Sequence, residues 1–220
     1  SGVNDAQLSI GQIGAETVDV TYRGLPMMFL MRRVLEEADD LEEATRLIEQ
    51  APRTVGVNYV IADAHIRRAI VMETTRHLAR VFEADDPGEH GVAYARPMVQ
   101  AVVRADTAMD VKIRDRQLAS HGDPKRPGLE DPRGSSAYDV RYLEQSKQLD
   151  ANRGRLDAPR AMAIARSVAP SSNIQSVVFA WPDLFVANAK GRESAAERDY
   201  HHLDAAALLG ADPPSAGRAP

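Results

Sequence analysis

The stretch V-N-Y-V-I-A-D-A-H-I-R-R-A-I-V-M-E-T-T-R-H-L-A-R-V-F-E, residues 57–83, decides the fold class. Three short β-rich runs, at 57–62, 69–74 and 78–83, are separated by polar turns, and this spacing predicts an antiparallel meander. Upstream the period changes. From Pro26 to Ala38 the apolar residues Met27, Leu30, Met31, Val34 and Leu35 recur at helical spacing, with Pro26 suited to a first turn where a missing N–H costs nothing. Asp40 followed by Glu43 resembles a capping box, and Leu41, Ala44, Leu47 and Ile48 form the stripe of a second helix that ends before Pro52. Leu8, Ile10 and Ile13 alternate within a strand at 7–13, after a turn-like stretch from Gly2 to Asp5.

Downstream of the meander, Q-A-V-V-R-A at 100–105 reads as a further strand. The polar region Asp115 to Ser135, rich in proline and glycine, reads as an ordered loop. Ser136 is placed to cap a helix at 137–151 with Tyr138, Tyr142, Gln145 and Leu149 on one face, and Asp157 to cap another containing Met162, Ile164 and Ala165. Strands at 174–180 and 184–189, joined through Trp181-Pro182-Asp183, precede a short helix and a flexible tail at 210–220. This order argues for α+β layering in a single domain, 1–209, rather than for a doubly wound parallel sheet.

Of the 220 residues, 44% are hydrophobic and 27% charged, and the net charge is -5. That balance gives no attraction for nucleic acid or anionic lipid, and a small-molecule or amide-type substrate is expected. Homo-oligomer formation is left open. No apolar run approaches the roughly 20 residues of a membrane helix, and no signal segment opens the chain, so a soluble protein is expected, cytoplasmic or exported. The absence of cysteine excludes disulfides and thiolate metal sites. The sequence opens on Ser1 rather than Met, and a longer precursor or an upstream part not included here is expected.

No GxSxG, HExxH, phosphate-binding loop or dinucleotide glycine pattern occurs, and neither a metal nor a cofactor is expected. His201-His202 reads as a solvated helix start because adjacent side chains on a helix diverge. His65, His77, His90 and His121 read as surface histidines in turns or at strand ends, and the acidic run Glu36 to Glu43 as helix-face charge. Polar residues set among apolar strands carry more information, since a buried polar group is costly unless something binds it. Gln12 and Gly14 end the first strand, where an amide or a glycine N–H could face a reacting oxygen or simply form a turn. Asp106 ends V-V-R-A-D-T and could orient an amine or sit exposed. Asn173 and Gln175 share one side of their strand by period two, as pocket groups or as satisfied core amides.

Taken in order, these segments resemble the isopenicillin-N acyltransferase-like family of autoproteolytic N-terminal nucleophile hydrolases, which is also similar to choloylglycine hydrolases. S-G-V-N-D-A-Q-L-S-I-G resembles the family's G-(M/V)-N-E-x-G-L, with Gln7 in place of the usual glycine. R-G-L-P-M-M-F-L-M-R-R-V-L-E-E-A-D-D-L-E-E-A resembles its glycine-proline helix and the helix that follows. Y-V-I-A-D-A and A-I-V-M-E-T-T resemble its I-x-D-x-x-G-x-x-x-x-x-E strands, S-S-A-Y-D-V-R-Y a serine-to-arginine helix start, and S-N-I-Q-S-V-V-F with L-F-V-A-N-A the closing strand pair.

The resemblance implies a four-layer αββα sandwich in which a cysteine, exposed by self-cleavage, attacks an amide carbonyl with its own α-amine as base. That cysteine and its strand would lie upstream of Ser1. The implied catalytic positions are Asp106, where the family commonly has an asparagine, with Gly14 near the oxyanion position and Asn173 near a polar group before the closing strand. Gln12 and Gln175 are the implied substrate-binding residues. The arginine some members carry near Asn173 is absent, with Pro170 close to its place. Two alternatives stand beside this one: Ser1 as the N-terminal nucleophile, and a catalytically inactive scaffold used for binding.

Overall fold

The computed structural model describes residues 1–92, 94–121 and 137–210, with the backbone alone at 118–121 and 137–140. The fold is α+β. The meander forms as the sequence predicts: β3 (Val57–Asp63), β4 (Arg68–Thr74) and β5 (Ala79–Phe82) pair antiparallel in sequence order. On its other side β3 pairs with β2 (Leu8–Gly14), and a two-residue β1 (Gly2–Val3) completes the order β1-β2-β3-β4-β5. Gly2 and Val3, read from sequence as turn, instead pair with Ile10 and Ser9.

Period two gives this sheet two unlike faces. One carries Leu8, Ile10, Tyr59, Ile61, Ile70 and Met72, and buries them against α1 (Met27–Glu37) and α2 (Leu41–Gln50). Leu30, Met31 and Val34 of α1 meet Ala44, Leu47 and Ile48 of α2 in the same core. Pro26 stands at the N-cap rather than inside the first turn. The Asp40 carboxylate accepts from the Glu43 N–H at 2.8 Å, while the Glu43 carboxylate reaches the N–H of Asp39 at 3.0 Å, one residue before the position a capping box requires.

The opposite face is built in rows across the strands. Ser9 lies beside Ala62 and Ala69; Gly11 beside Val60, Val71 and Phe82; Ile13 beside Asn58, Glu73 and Arg80. Over the β4–β5 half, Val71 and Phe82 join Met98, Val103 and Tyr142 in a second core. Over the β2 half Ser9, Gly11 and Ala62 leave the face low between Ile13 and the strand's start.

Residues 100–105 do not form the strand read from sequence. After the short α3 (Pro87–His90) the chain crosses this face in irregular conformation, with a single bridge between Met98 and Ala101. Val103 and Ala105 fill the second core, and the carbonyls that a ladder would have used are taken by buried side chains. The loop reading of 115–135 is also corrected at its start, because α4 (Val111–His121) runs through 115–121. The Asp110 carboxylate opens it by accepting from the N–H groups of Lys112 and Ile113. The rest of that loop, Ser136 and the tail at 211–220 lie outside the described residues.

Then follow α5 (Ala137–Ala151), which buries Tyr142, and α6 (Ala158–Val168), capped by Asp157 through the Arg160 N–H at 2.9 Å. A second antiparallel sheet contains β6 (Gln175–Ala180), β7 (Asp183–Asn188) and β8 (His201–Asp204). His201 and His202 therefore lie in an exposed strand, not at a helix start; Asp204 caps the helix that follows, α7 (Ala205–Leu209). Among the described residues no helix is long and apolar enough to cross a membrane.

Candidate active-site cleft

A cleft of about 890 Å³ separates β2 from β6, with Ser9, Gly11, Ile13, Val60 and Ala62 on one wall and Gln175, Val177 and Phe179 on the other. Its width follows from the rows of the first sheet: serine, glycine and alanine stand where larger side chains would meet the second sheet, and a Cβ added at Gly11 would touch nothing within 4 Å. Among the described residues no ionisable side chain lines the cleft. The two walls are tied at one end, where the Ser1 hydroxyl donates to Gln175 Oε1 at 3.4 Å.

Four of the five residues singled out from sequence border this cleft: Gln12, Gly14, Asn173 and Gln175. Gln12 and Gly14 belong by alternation to the helix-facing side of β2, but both are exposed, because β1 pairs no further than Ile10 and leaves the main chain of 11–14 along the rim. Gly14 pairs with Val57 and has open space around its Cα. Asn173 lies just before β6; its carbonyl accepts from the Ala195 N–H at 2.8 Å and its amide donates to the Gln175 carbonyl at 3.2 Å. Its Oδ1 is buried with no partner among the described residues. Gln175 donates in turn to Asn188 at 3.1 Å.

Asp106, the fifth, does not line the cleft; it stands beside it. Asn58 and Val60 point from β3 to the same side, Val60 into the cleft and Asn58 to the loop 104–110 that carries Asp106. The Asn58 amide donates to the carbonyl of Ala105 at 2.9 Å and to that of Asp106 at 3.4 Å. Gln117 from α4 donates to the Asp106 carbonyl at 2.9 Å and accepts from the Ala108 N–H at 2.8 Å. Directly opposite Asn58 on β4, Glu73 accepts from the N–H groups of Met109 at 2.6 Å and Asp110 at 2.8 Å. The carboxylate of Asp106 pairs with the guanidinium of Arg141 on α5.

These supports were missed from sequence. Asn58, Glu73 and Gln117 are each at most 1% exposed, and Arg104 is withdrawn between Glu73 and Glu89. Burial pushes the Glu73 carboxyl above the usual range, an effect opposed by Arg104 and by the two N–H groups it accepts from. The signal was present in V-N-Y-V-I-A and V-M-E-T-T, where one amide and one carboxylate interrupt apolar runs. A strand buried on both faces with a single polar residue on one of them marks a partner from elsewhere in the chain.

Among the described residues no histidine side chain lines the cleft, and no group of three or more His, Cys, Asp and Glu is arranged to hold a metal ion. The chemistry available is that of neutral amides, the hydroxyls of Ser1, Ser9 and Ser172, backbone N–H groups and one carboxylate in an ion pair beside the cleft: hydrogen bonding to a carbonyl and its oxyanion, and acceptance of a bond from a cation.

Residues 13–92, from the rim of the cleft through the meander to the segment after α3, match the family model described as AAT, acyl-coenzyme A:6-aminopenicillanic acid acyl-transferase. Over these residues the chain is similar to that family. No curated protein matches the chain.

Proposed function

We propose that the full protein cleaves the carbon–nitrogen bond of a non-peptide amide and passes the acyl group to water or to an acceptor amine at the cleft between the two sheets. The observation that carries this reading is the loop 104–110: it has no regular structure of its own, yet Asn58, Glu73 and Gln117 hold it from below, so that Asp106 is fixed beside a wide neutral cleft. Burying that many polar groups under one loop is costly unless its geometry matters.

In this reading the sheets and their flanking helices are a four-layer αββα sandwich, and the nucleophile is a cysteine upstream of Ser1, freed by self-cleavage. Its α-amine, with an ordinary value near 8, takes the thiol proton as sulfur bonds to the substrate carbonyl carbon. The carbonyl electron pair moves to oxygen, where the Gly14 N–H and the Asn173 amide are the donors at hand. When the oxyanion collapses, the C–N bond breaks and the leaving nitrogen takes the proton back from the α-ammonium. A thioester remains, and water or an amine attacks it to release the acyl group and restore the thiol. Asp106, ion-paired with Arg141, accepts a hydrogen bond from the α-ammonium, since a carboxylate cannot donate to the oxyanion. Gln12 and Gln175 hold the polar parts of the substrate.

A second reading is favoured by one observation: Ser1 lines the cleft and its hydroxyl touches Gln175. With Ser1 as a mature terminus, its hydroxyl and amine would take the roles of thiol and base. The two readings separate on turnover of a panel of N-acyl amides by the full-length protein. The first requires turnover that disappears when the upstream cysteine is replaced and survives Ser1→Ala; the second requires the reverse. No turnover of any acyl amide removes both.

A further inference from the structure

A second cavity, of about 260 Å³, adjoins the cleft and shares Ser9, Ala62 and Phe179 with it. Along β2, Ser9 and Gly14 stand about 17 Å apart at the rise of an antiparallel strand, so this cavity is remote from Gly14. Its two walls are unlike. On the first sheet Ser9, Ala62 and Ala69 are neighbours across β2, β3 and β4, three short side chains in one row. On the second, Phe179 near the end of β6 and Trp181 just after it line the cavity. Packed sheets lie about 10 Å apart, so short side chains across from aromatic ones leave a slot suited to a flat ring. The Trp181 indole Nε1 is buried with no partner among the described residues, a donor for which they supply no acceptor.

The charges around this slot do not all find partners. Of its four ionisable lining residues, Asp63 accepts from the His65 and Ile66 N–H groups at 2.9 and 3.2 Å, Asp183 pairs with His202 at 2.6 Å, and Arg68 pairs with Glu83 at 2.9 Å. Arg67, the fourth, is exposed, and its guanidinium has no ion pair or hydrogen bond among the described residues. It stands in the turn between β3 and β4 with φ of 54°, in the left-handed region that favours glycine. The turn thus carries a cation where glycine would fit with less strain.

From the unpaired guanidinium beside an aromatic slot we infer that this cavity is a separate binding site for a small aryl carboxylate, whose ring lies against Phe179 and Trp181 and whose carboxylate pairs with Arg67. A carboxylate accepts two parallel, charge-assisted bonds from a guanidinium, and the ring gains by leaving water for the aromatic wall. The site does not depend on the amide chemistry proposed for the cleft.

Benzoate is the probe, with benzyl alcohol and acetate as controls that keep its ring and its charge separately. In calorimetric titration of the full-length protein, benzoate is expected to bind saturably at one site per chain, about tenfold or more tighter than either control. Arg67→Gln, in an exposed turn, is expected to bring benzoate down to the affinity of benzyl alcohol and to leave benzyl alcohol unchanged. Ala69→Leu, which fills the slot from the first sheet, is expected to weaken both aryl ligands; where the larger residue disturbs folding, the Arg67 variant decides. Absence of saturable benzoate binding, equal affinities for benzoate and benzyl alcohol, or an Arg67→Gln protein that binds benzoate like wild type would each overturn the site. Turnover of acyl amides is read separately: benzoate binding that is lost in Arg67→Gln stands whether or not the protein cleaves an amide.

Discussion

Arg104 Nε lies 2.7 Å from Glu73 Oε1, and both side chains are withdrawn from solvent. The approach is off the N–H direction, so the contact is an ion pair rather than a hydrogen bond, and Glu73 keeps its lone pairs for the Met109 and Asp110 N–H groups. Glutamine at 73 offers one acceptor oxygen where the carboxylate offers two, and leaves Arg104 with Glu89 alone. Glu73→Gln is expected to lower stability by about 3 kcal/mol, measured by urea unfolding. A loss under about 1 kcal/mol would mean that the pair and its two N–H bonds hold the loop only weakly.

The same pair predicts a pH dependence. Burial raises the folded-state value of Glu73, so the folded protein holds this proton more tightly than the unfolded chain. The stabilisation linked to that proton is complete below the unfolded carboxyl value of about 4.3 and is lost as pH rises through the raised value. The unfolding free energy of wild type should therefore fall, relative to that of Glu73→Gln, as pH rises from the acid end toward neutrality. A difference that grows with pH would contradict it.

Gln7 has φ of 66°, in the left-handed region that costs a side-chain-bearing residue roughly 1–2 kcal/mol. It closes the turn from Asn4, whose carbonyl accepts from the Gln7 N–H at 3.1 Å. Gln7→Gly is expected to stabilise the protein by about 1 kcal/mol, the relief of strain exceeding the added entropy of the unfolded chain. Thermal unfolding should show a higher midpoint; a lower one would mean that the left-handed conformation is unstrained here.

In the same turn the Asn4 side chain accepts from the Leu8 N–H at 2.9 Å and donates to the Ala38 carbonyl, at the C-terminal end of α1, at 2.8 Å. Asn4→Ala leaves both backbone groups without this partner in a buried site, and should lower stability by about 2 kcal/mol. Activity per folded molecule should be unchanged, which distinguishes this structural amide from those lining the cleft.

Asp106→Ala in the full-length protein is expected to lower kcat by about 100-fold with little change in KM, since a contact to the nucleophile's ammonium acts on the chemical step. Arg141→Lys should keep part of that activity and Arg141→Ala lose most of it. Unchanged kcat in Asp106→Ala would remove Asp106 from the site.

Much of the fold was legible because its meander repeats with period two and its first helix pair with the helical period, both over long enough stretches to outweigh local exceptions. The failures have local causes. Q-A-V-V-R-A has the composition of a strand, but Arg104 found two buried carboxylates and Val103 a core, and those tertiary contacts overrode strand propensity. The start of α4, V-K-I-R-D-R-Q, shows little apolar periodicity, and its capping Asp110 stands outside the region read as loop. At the site, Gln12 and Gly14 of β2, Gln175 at the start of β6 and Asn173 just before it come together along one cleft. What no spacing could reveal is that Asn58 and Glu73 are cross-strand neighbours under the Asp106 loop, because that depends on the register of β3 against β4.

The most direct test is intact and peptide mass spectrometry of the full-length protein after rapid quenching with an N-acyl amide or an amide-directed electrophile. The account predicts one acyl adduct per molecule, on a cysteine that precedes residue 1 and forms the new amino terminus. An adduct on Ser1, or turnover that persists when that cysteine is replaced, would contradict it.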